Sequence, residues 1–581
     1  MTQETLNISP HTTTRRADQP APDLSTAKVK PGPRRWFLPS LEGILFSVTL
    51  LGVLLFSQQR ILGTDGDTPL HLRLGGDMLT QGSLVTTNTL TSTGYGQPFV
   101  AWEWLSELVI AGAWRLLGLN GVGALVSIII ALISLLLFQA VRRRGVPMLI
   151  ALPLTLLAIA LTSLHWQAQP YLFSLLLTLW WSEQVWAYWQ SGNPRKLWPL
   201  PFMMALWANL DGGYVIGLIL LGTATGLAWV FPNAASTRNI HVRRWQLSRA
   251  LVACLLATLL TPLGLDGLLH VTGFLSNGEL LSNIQEETSP DFHQFYGQLF
   301  LFLLLLLGAC GILRGWLAGG RATHPADGAE QAEQRALAQL ATREPGALGW
   351  ALVGIFTALT LFSVSVLPLW ALVVSPILGR ELTSWTAEWA AAEMSGRLSR
   401  CCRALYRRSW RLEAQSRSLR SSVLVSMTSL FVLALLLNQG TLPGTSTHLL
   451  DVEFPSNAFP VEAVQAIQQG AIPGGALPEG TGFTTITWAG YLELTLPHHL
   501  LMVDARVDFF DQSVLNDYQT LINGEPGWDQ VISTYALHWL LIPPTVPLAQ
   551  IITLTHEWSC QEIDTQHSAL LCIPAPTVPV A

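Results

Sequence analysis

Thr64-Asp65-Gly66-Asp67-Thr68-Pro69-Leu70-His71-Leu72-Arg73-Leu74-Gly75-Gly76-Asp77 comes soon after the apolar run Trp36 to Phe56. Ala101-Trp102-Glu103-Trp104-Leu105-Ser106-Glu107 follows a little further on. Only 12% of the chain is charged. Carboxylates gathered with a histidine and an arginine at the end of an apolar helix therefore suggest a polar reaction site at a membrane surface.

Working outward, half of the 581 residues are hydrophobic and the mean hydropathy is +0.39. Long apolar runs place the chain in the mainly α, polytopic membrane class rather than among soluble multidomain proteins. Segments long enough, or nearly so, to cross ~30 Å of hydrocarbon are Trp36 to Phe56, Asn120 to Val141, Val146 to Leu164, Pro170 to Trp189, Leu197 to Leu210 and Tyr214 to Phe231. Leu251 to Leu263, Leu299 to Leu313, Trp350 to Phe362, Val366 to Leu378 and Ser422 to Asn438 bring the expected number to eleven. Residues 1–35 read as a disordered basic cytoplasmic tail, 36–438 as the transmembrane domain and 439–581 as an extracytoplasmic α/β domain.

The positive-inside rule fixes the expected orientation in the plasma membrane. With the N-terminus cytoplasmic, eleven crossings put Arg142-Arg143-Arg144, Arg195-Lys196 and the loops 315–347 and 379–420 in the cytoplasm. The second of these loops carries nine arginines. Glu103 to Leu117 is then an interfacial helix within the outer loop 57–119. The same count sends Asp65, Asp67, His71, Glu103, His165, Gln169, Asp211, Glu286 and Glu287 to a single outer leaflet.

Each of these residues admits a chemical and a structural reading. Asp65 and Asp67 suit a general base, or a clamp for a divalent cation such as Mg or Mn; Asp67 before Thr68-Pro69 equally suits a helix cap. His71 and Arg73 suit a phosphate, or lipid headgroups. Trp102 and Trp104 beside Glu103 could stack on sugar or anchor the interface. His165 and Gln169 open a span, Asn209 and Asp211 could satisfy helix ends, and Glu286 with Glu287 could simply be solvated. Cys560 and Cys572 flank an expected hairpin turning near Thr565-Gln566-His567, where they could form a disulfide. There is no paired C-x-x-C metal spacing, and no glycine-rich phosphate loop stands in a strand-to-helix context.

The run Asp65 to Gly75, Glu103-Trp104-Leu105, Gln169-Pro170-x-Leu172-Phe173 and Trp207-Ala208-Asn209-x-x-Gly212-Gly213 resembles the type C (GT-C-like), polyprenyl-phosphate-sugar-dependent glycosyltransferases. Ala489-Gly490-Tyr491-Leu492 and Val503-Asp504-Ala505-Arg506-x-Asp508-x-Phe510 share in the resemblance. It implies a lipid-linked sugar donor, membrane lipids and an acceptor glycan, lipid or protein as partners, with no nucleic acid. It also implies an acid from the first outer loop at the reaction centre, Asp65 or Asp67. The chain departs from the pattern at Pro69-Leu70, where Trp often precedes the histidine, and at Asp211 and Glu287, where His and Trp are common. A transporter or flippase, and a catalytically inactive scaffold, remain open alternatives.

Overall fold

A computed structural model describes residues 40–63, 65–231, 240–278, 287–317, 337, 340, 346–391, 396–417, 422–437, 452–472, 475–555, 557–563 and 569–575. The expected basic tail, Glu286 and the hairpin turn near Gln566 lie outside them. The helical part runs α1 (Leu41–Phe56), α2 (Gln58–Leu62), α3 (Asp67–Gln81), α4 (Trp104–Arg143), α5 (Met148–Thr162), α6 (Tyr171–Ser191), α7 (Leu200–Leu210), α8 (Tyr214–Val230), α9 (Ile240–Ala257) and α10 (Leu265–Ser276). It continues with α11 (Phe295–Leu317), α12 (Gly346–Phe362), α13 (Leu367–Ala391), α14 (Arg397–Arg417) and α15 (Ser422–Leu437). One large apolar core, including Leu50, Phe138, Trp181, Trp207 and Trp370, joins these helices.

Among the described residues, four helices are long and apolar enough to cross a membrane, and shorter apolar ones accompany them. Each expected apolar segment lies on a helix, with shifted boundaries. The segment expected at Leu251 to Leu263 is helical instead from Ile240 to Ala257, because Pro262 and Gly264 follow and block continuation. The loop expected at 379–420 is largely helical, since α13 runs on to Ala391 and α14 fills Arg397–Arg417.

Glu103 to Leu117 and the following span form one helical run, broken at Leu117 and Gly118. Gly118 has φ of 62°, a left-handed conformation that glycine takes without a Cβ clash. The chain therefore redirects between the acidic segment and the apolar one.

The C-terminal part holds α16 (Val461–Gln468), β1 (Thr481–Thr484), α17 (Ile486–Thr495), α18 (Gln512–Ile522), α19 (Trp528–Thr534), β2 (Leu537–Ile542), α20 (Pro547–Ile552), β3 (Trp558–Glu562) and β4 (Leu570–Pro574). The strand order is β1-β2-β4-β3, parallel between β1 and β2 and antiparallel elsewhere. Strand β2 has period-two alternation with both faces buried. Leu540 and Ile542 pack with α18 and α20, while Trp539 and Leu541 pack with α16 and α17. Cys560 and Cys572 are opposite one another on β3 and β4 and are joined by a disulfide.

Candidate active site

Helix α3 begins where the sequence motif begins. Gly66 precedes it in a left-handed conformation (φ 92°), and the Asp65 carboxylate accepts the Asp67 backbone N–H at 3.2 Å. Asp65 thus takes the capping role expected of Asp67, which is the first helical residue. The helix ends at Gly82, and its middle packs against α4 through Gly75. A Cβ on Gly75 would run into the Glu107 carbonyl, so only glycine lets the two helices come this close. This contact sets the distance between His71, one turn earlier on α3, and the acids at the start of α4.

Two groups of side chains result. In the first, the Gln169 side-chain amide donates to Asp65 Oδ2 at 3.1 Å and to Asp67 Oδ2 at 3.2 Å. The loop between α5 and α6 is held beside α2 by Ala168 N–H donating to the Ile61 carbonyl at 2.7 Å.

The second group lies along α3 from the first. His71 Nδ1 is 3.2 Å from Glu107 Oε1. Glu103 and Glu107, one turn apart, share a face at the start of α4. His71, Glu103 and Glu107 each offer a ligand atom, and these atoms lie within 4.8 Å of one another. The other Glu107 oxygen, Oε2, is buried with no hydrogen-bond partner.

Asp211, at the end of α7, joins this group. It accepts from the Ser174 hydroxyl and, at 2.8 Å, from Gly213 N–H. Trp207 Nε1 donates to Ser174 Oγ at 2.6 Å, which fixes the serine. Burial, the charges of Asp211 and Glu107 and a hydrogen bond to Asp211 hold the Glu103 carboxyl well above the usual carboxylate range. Burial also raises Asp211, against the opposing pull of its Ser174, Gly213 and Glu103 hydrogen bonds. Of the two, Asp211 has the hydrogen-bond donors that favour its charged form, whereas Glu103 faces the Asp211 and Glu107 charges.

The remaining expected residues are placed differently. Arg73 is engaged by Asp77 at 2.8 Å and by the Glu493 backbone carbonyl at 2.6 Å, so it ties α3 to α17 instead of facing the acids. Asn209 accepts from Trp104 Nε1 at 2.9 Å and donates to the Leu260 carbonyl at 3.0 Å, a scaffold role. His165 is buried, with its ring 4.8 Å from that of Tyr171. Glu287 accepts from Ser363 Oγ at 2.7 Å and Ser365 Oγ at 3.2 Å, and Tyr171 donates to the Ser365 carbonyl at 2.6 Å.

Three contributors were not singled out from sequence: Glu107 as a partner of His71, Ser174, and His270. His270 Nε2 lies 2.9 Å from Asp508 Oδ2, joining α10 to the C-terminal domain beside Trp102. The i, i+4 spacing of Glu103 and Glu107 was a usable signal; nothing local marks Ser174 or His270. The C-terminal domain also closes on the motif through α17, where a Cβ on Gly490 would strike the Gly66 carbonyl.

No protein-family model matches the sequence, and no curated protein matches it. Among solved structures, the apo oligosaccharyltransferase of Archaeoglobus fulgidus is similar at TM-score 0.46 and 11% identity, over 86% of this chain and 69% of that one. The archaeal oligosaccharyltransferase AglB from Archaeoglobus fulgidus, in complex with an inhibitory peptide and a dolichol-phosphate, gives 0.47 and 12%, over 93% and 74%. ArnT from Cupriavidus metallidurans bound to undecaprenyl phosphate gives 0.41 and 16%, over 92% and 98%. These neighbours are type C glycosyltransferases. What the site does chemically follows from its own side chains, not from these neighbours.

Proposed function

We propose that this chain is a membrane glycosyltransferase, moving a sugar from a polyprenyl-phosphate-linked donor to an acceptor at the outer face of the plasma membrane. The observation that carries the reading is convergence. Asp65, Asp67 and Gln169 meet in one group, and His71, Glu103, Glu107 and Asp211 in a second, and α3 contributes Asp67 to the first and His71 to the second. The arginines Arg142 to Arg144 stand at the opposite end of α4 from Glu103, which supports an extracytoplasmic site and C-terminal domain.

In this reading Asp67, or its neighbour Asp65, takes the proton from the acceptor nucleophile as it attacks the sugar. Gln169 holds the two carboxylates in place. His71 meets the phosphate that leaves with the polyprenyl chain, and Arg73 keeps α3 docked to the C-terminal domain. Three acids beside a departing phosphate would repel it unless their charge is offset. The unsatisfied Glu107 Oε2 and the ligand atoms of His71 and Glu103 fit a divalent cation such as Mg or Mn better than Asp65 and Asp67, which face an amide N–H. When bound, such an ion would neutralise phosphate charge.

The test is an Asp65→Asn, Asp67→Asn double variant purified in detergent, assayed for sugar transfer from lipid-linked donors in membranes. It is expected to keep its thermal transition and to lose transfer by roughly a hundredfold or more. A folded double variant with undiminished transfer would remove the catalytic reading, and retained movement of lipid-linked substrate across vesicles would favour a transporter.

A further inference from the structure

Helix α14 sits at the end of the bundle away from the carboxylates. Leu149 N–H, at the start of α5, donates to Ser409 Oγ at 3.1 Å, and Arg142, at the end of α4, pairs with Glu413 at 2.7 Å. One face of α14 packs on the protein: Ser399, Cys402, Tyr406 and Ser409 are buried, and the Tyr406 hydroxyl donates to the Thr383 carbonyl on α13 at 2.7 Å.

At about 100° per residue, the opposite face carries Arg397, Arg400, Ala404, Arg408 and Arg411, all exposed. Leu398, Leu405 and Leu412 run along one edge between the two faces. Leu398 is 43% exposed and Leu412 38% exposed. Glu413 is the helix's one acidic residue, and it is already paired. The apolar helices α13 and α15 flank α14 in sequence.

Partly exposed leucines thus form a row beside the arginines, along one edge of the helix. That pairing suits the boundary between headgroups and acyl chains, where guanidinium groups fork onto phosphates and leucines dip below them. The geometry points to α14 as a docking surface for anionic phospholipid headgroups, held by Arg397, Arg400, Arg408 and Arg411. This assignment is independent of the glycosyl-transfer reading and survives its failure.

Cys401 adjoins the arginine face and is the exposed free thiol among the described cysteines, so it can carry an environment-sensitive fluorophore. The labelled full-length protein is placed in nanodiscs of phosphatidylcholine, with or without phosphatidylglycerol. Phosphatidylglycerol is expected to shift the emission to the blue, and added salt to reverse the shift. Replacing all four arginines by glutamine is expected to reduce the phosphatidylglycerol retained per protein in native mass spectrometry by roughly fivefold. Replacement by lysine should retain most of it, and this version decides the matter if the glutamine version fails to fold. Identical emission in both lipids overturns the assignment, as does undiminished retention by the folded glutamine version. Displacement of the lipid by millimolar inorganic phosphate would equally overturn it, marking a general anion site.

Discussion

Glu103, at the N-cap position of α4, stands close enough to Asp211, at the end of α7, for the Asp211 charge to help raise the Glu103 carboxyl above its usual range. Two acids can share such a place only with a proton, or a cation, between them and their neighbours. Their pairing makes the site's electrostatics depend on pH in a direction that can be worked out.

The Glu103 carboxyl is raised well above its ordinary value of 4.5, so the ion-free native state keeps a proton that the unfolded chain releases. The associated stability is complete below the unfolded value and is lost as pH rises through the native one. In metal-free buffer, Tm is expected to fall between about pH 5 and 8, and Glu103→Gln should flatten much of that slope. Burial also raises Asp211 and Glu493, which leaves a residual slope of the same sign. Manganese should restore wild-type Tm at the upper end, because a ligand of the native state stabilises it, and should do little for Glu103→Gln. A wild-type Tm that climbs across this range without metal would contradict the raised Glu103 carboxyl.

The Gln169 side-chain amide bridges Asp65 and Asp67, donating to them at 3.1 and 3.2 Å. Gln169→Ala takes away both bonds and is expected to cost about 1–3 kcal/mol, with transfer falling by roughly tenfold to a hundredfold as the carboxylates lose their orientation. Gln169→Glu puts a third carboxylate there and should be worse. Transfer measured with and without manganese also locates the ion: recovery of Gln169→Glu by the metal would place it at Asp65 and Asp67 instead of at His71, Glu103 and Glu107.

The apolar helices were legible because burial imposes itself on every residue of a span, and the α/β character of the tail showed in runs such as Leu537 to Ile542. The motif acids were legible because charge is so scarce. Their partners were not. Ser174 sits in an unremarkable apolar helix and becomes a ligand of Asp211 only when α6 packs against α7. His270 pairs with Asp508 across a long stretch of chain. Arg73 read as a phosphate ligand because nothing local shows that α17 brings the Glu493 carbonyl to it. Asp504 and Arg506, which entered only through the resemblance, bond each other at 2.9 Å.

Gly75 and Gly76 are neighbours on one helix, yet their substitutions should act in opposite directions. A Cβ on Gly75 would collide with the Glu107 backbone, whereas on Gly76 its nearest contact is the Trp114 ring at 3.7 Å, an ordinary separation. Gly75→Ala is expected to destabilise by about 1–3 kcal/mol and to lower metal affinity, since it pushes His71 away from Glu107. Gly76→Ala should be neutral, or stabilising by up to about 1 kcal/mol through helix propensity. Tm and manganese titration of the two variants side by side check this, and equal effects would contradict the close packing of α3 on α4.

Arg506 closes the C-terminal domain over the loop between α3 and α4. Its backbone N–H and Nε bond Asp504 at 2.8 and 2.9 Å, one terminal nitrogen reaches Asn88 Oδ1 at 2.8 Å, and the guanidinium lies 4.7 Å from the Phe99 ring centre. Asp504 is fully buried, and Glu493 next to it is already pushed toward its neutral form by burial and by the Asp504 charge. Arg506→Met therefore leaves an uncompensated buried carboxylate and should cost about 3–5 kcal/mol. Adding Asp504→Asn takes that charge away, so the double variant should recover at least half of the loss. Hydrogen exchange in residues 84–99 should rise in the single variant, because the loop loses its Asn88 tether. If the single variant lost less than about 1 kcal/mol, the pair would be a solvated surface contact, and the C-terminal domain would not be what orders the loop between Asp67 and Glu103.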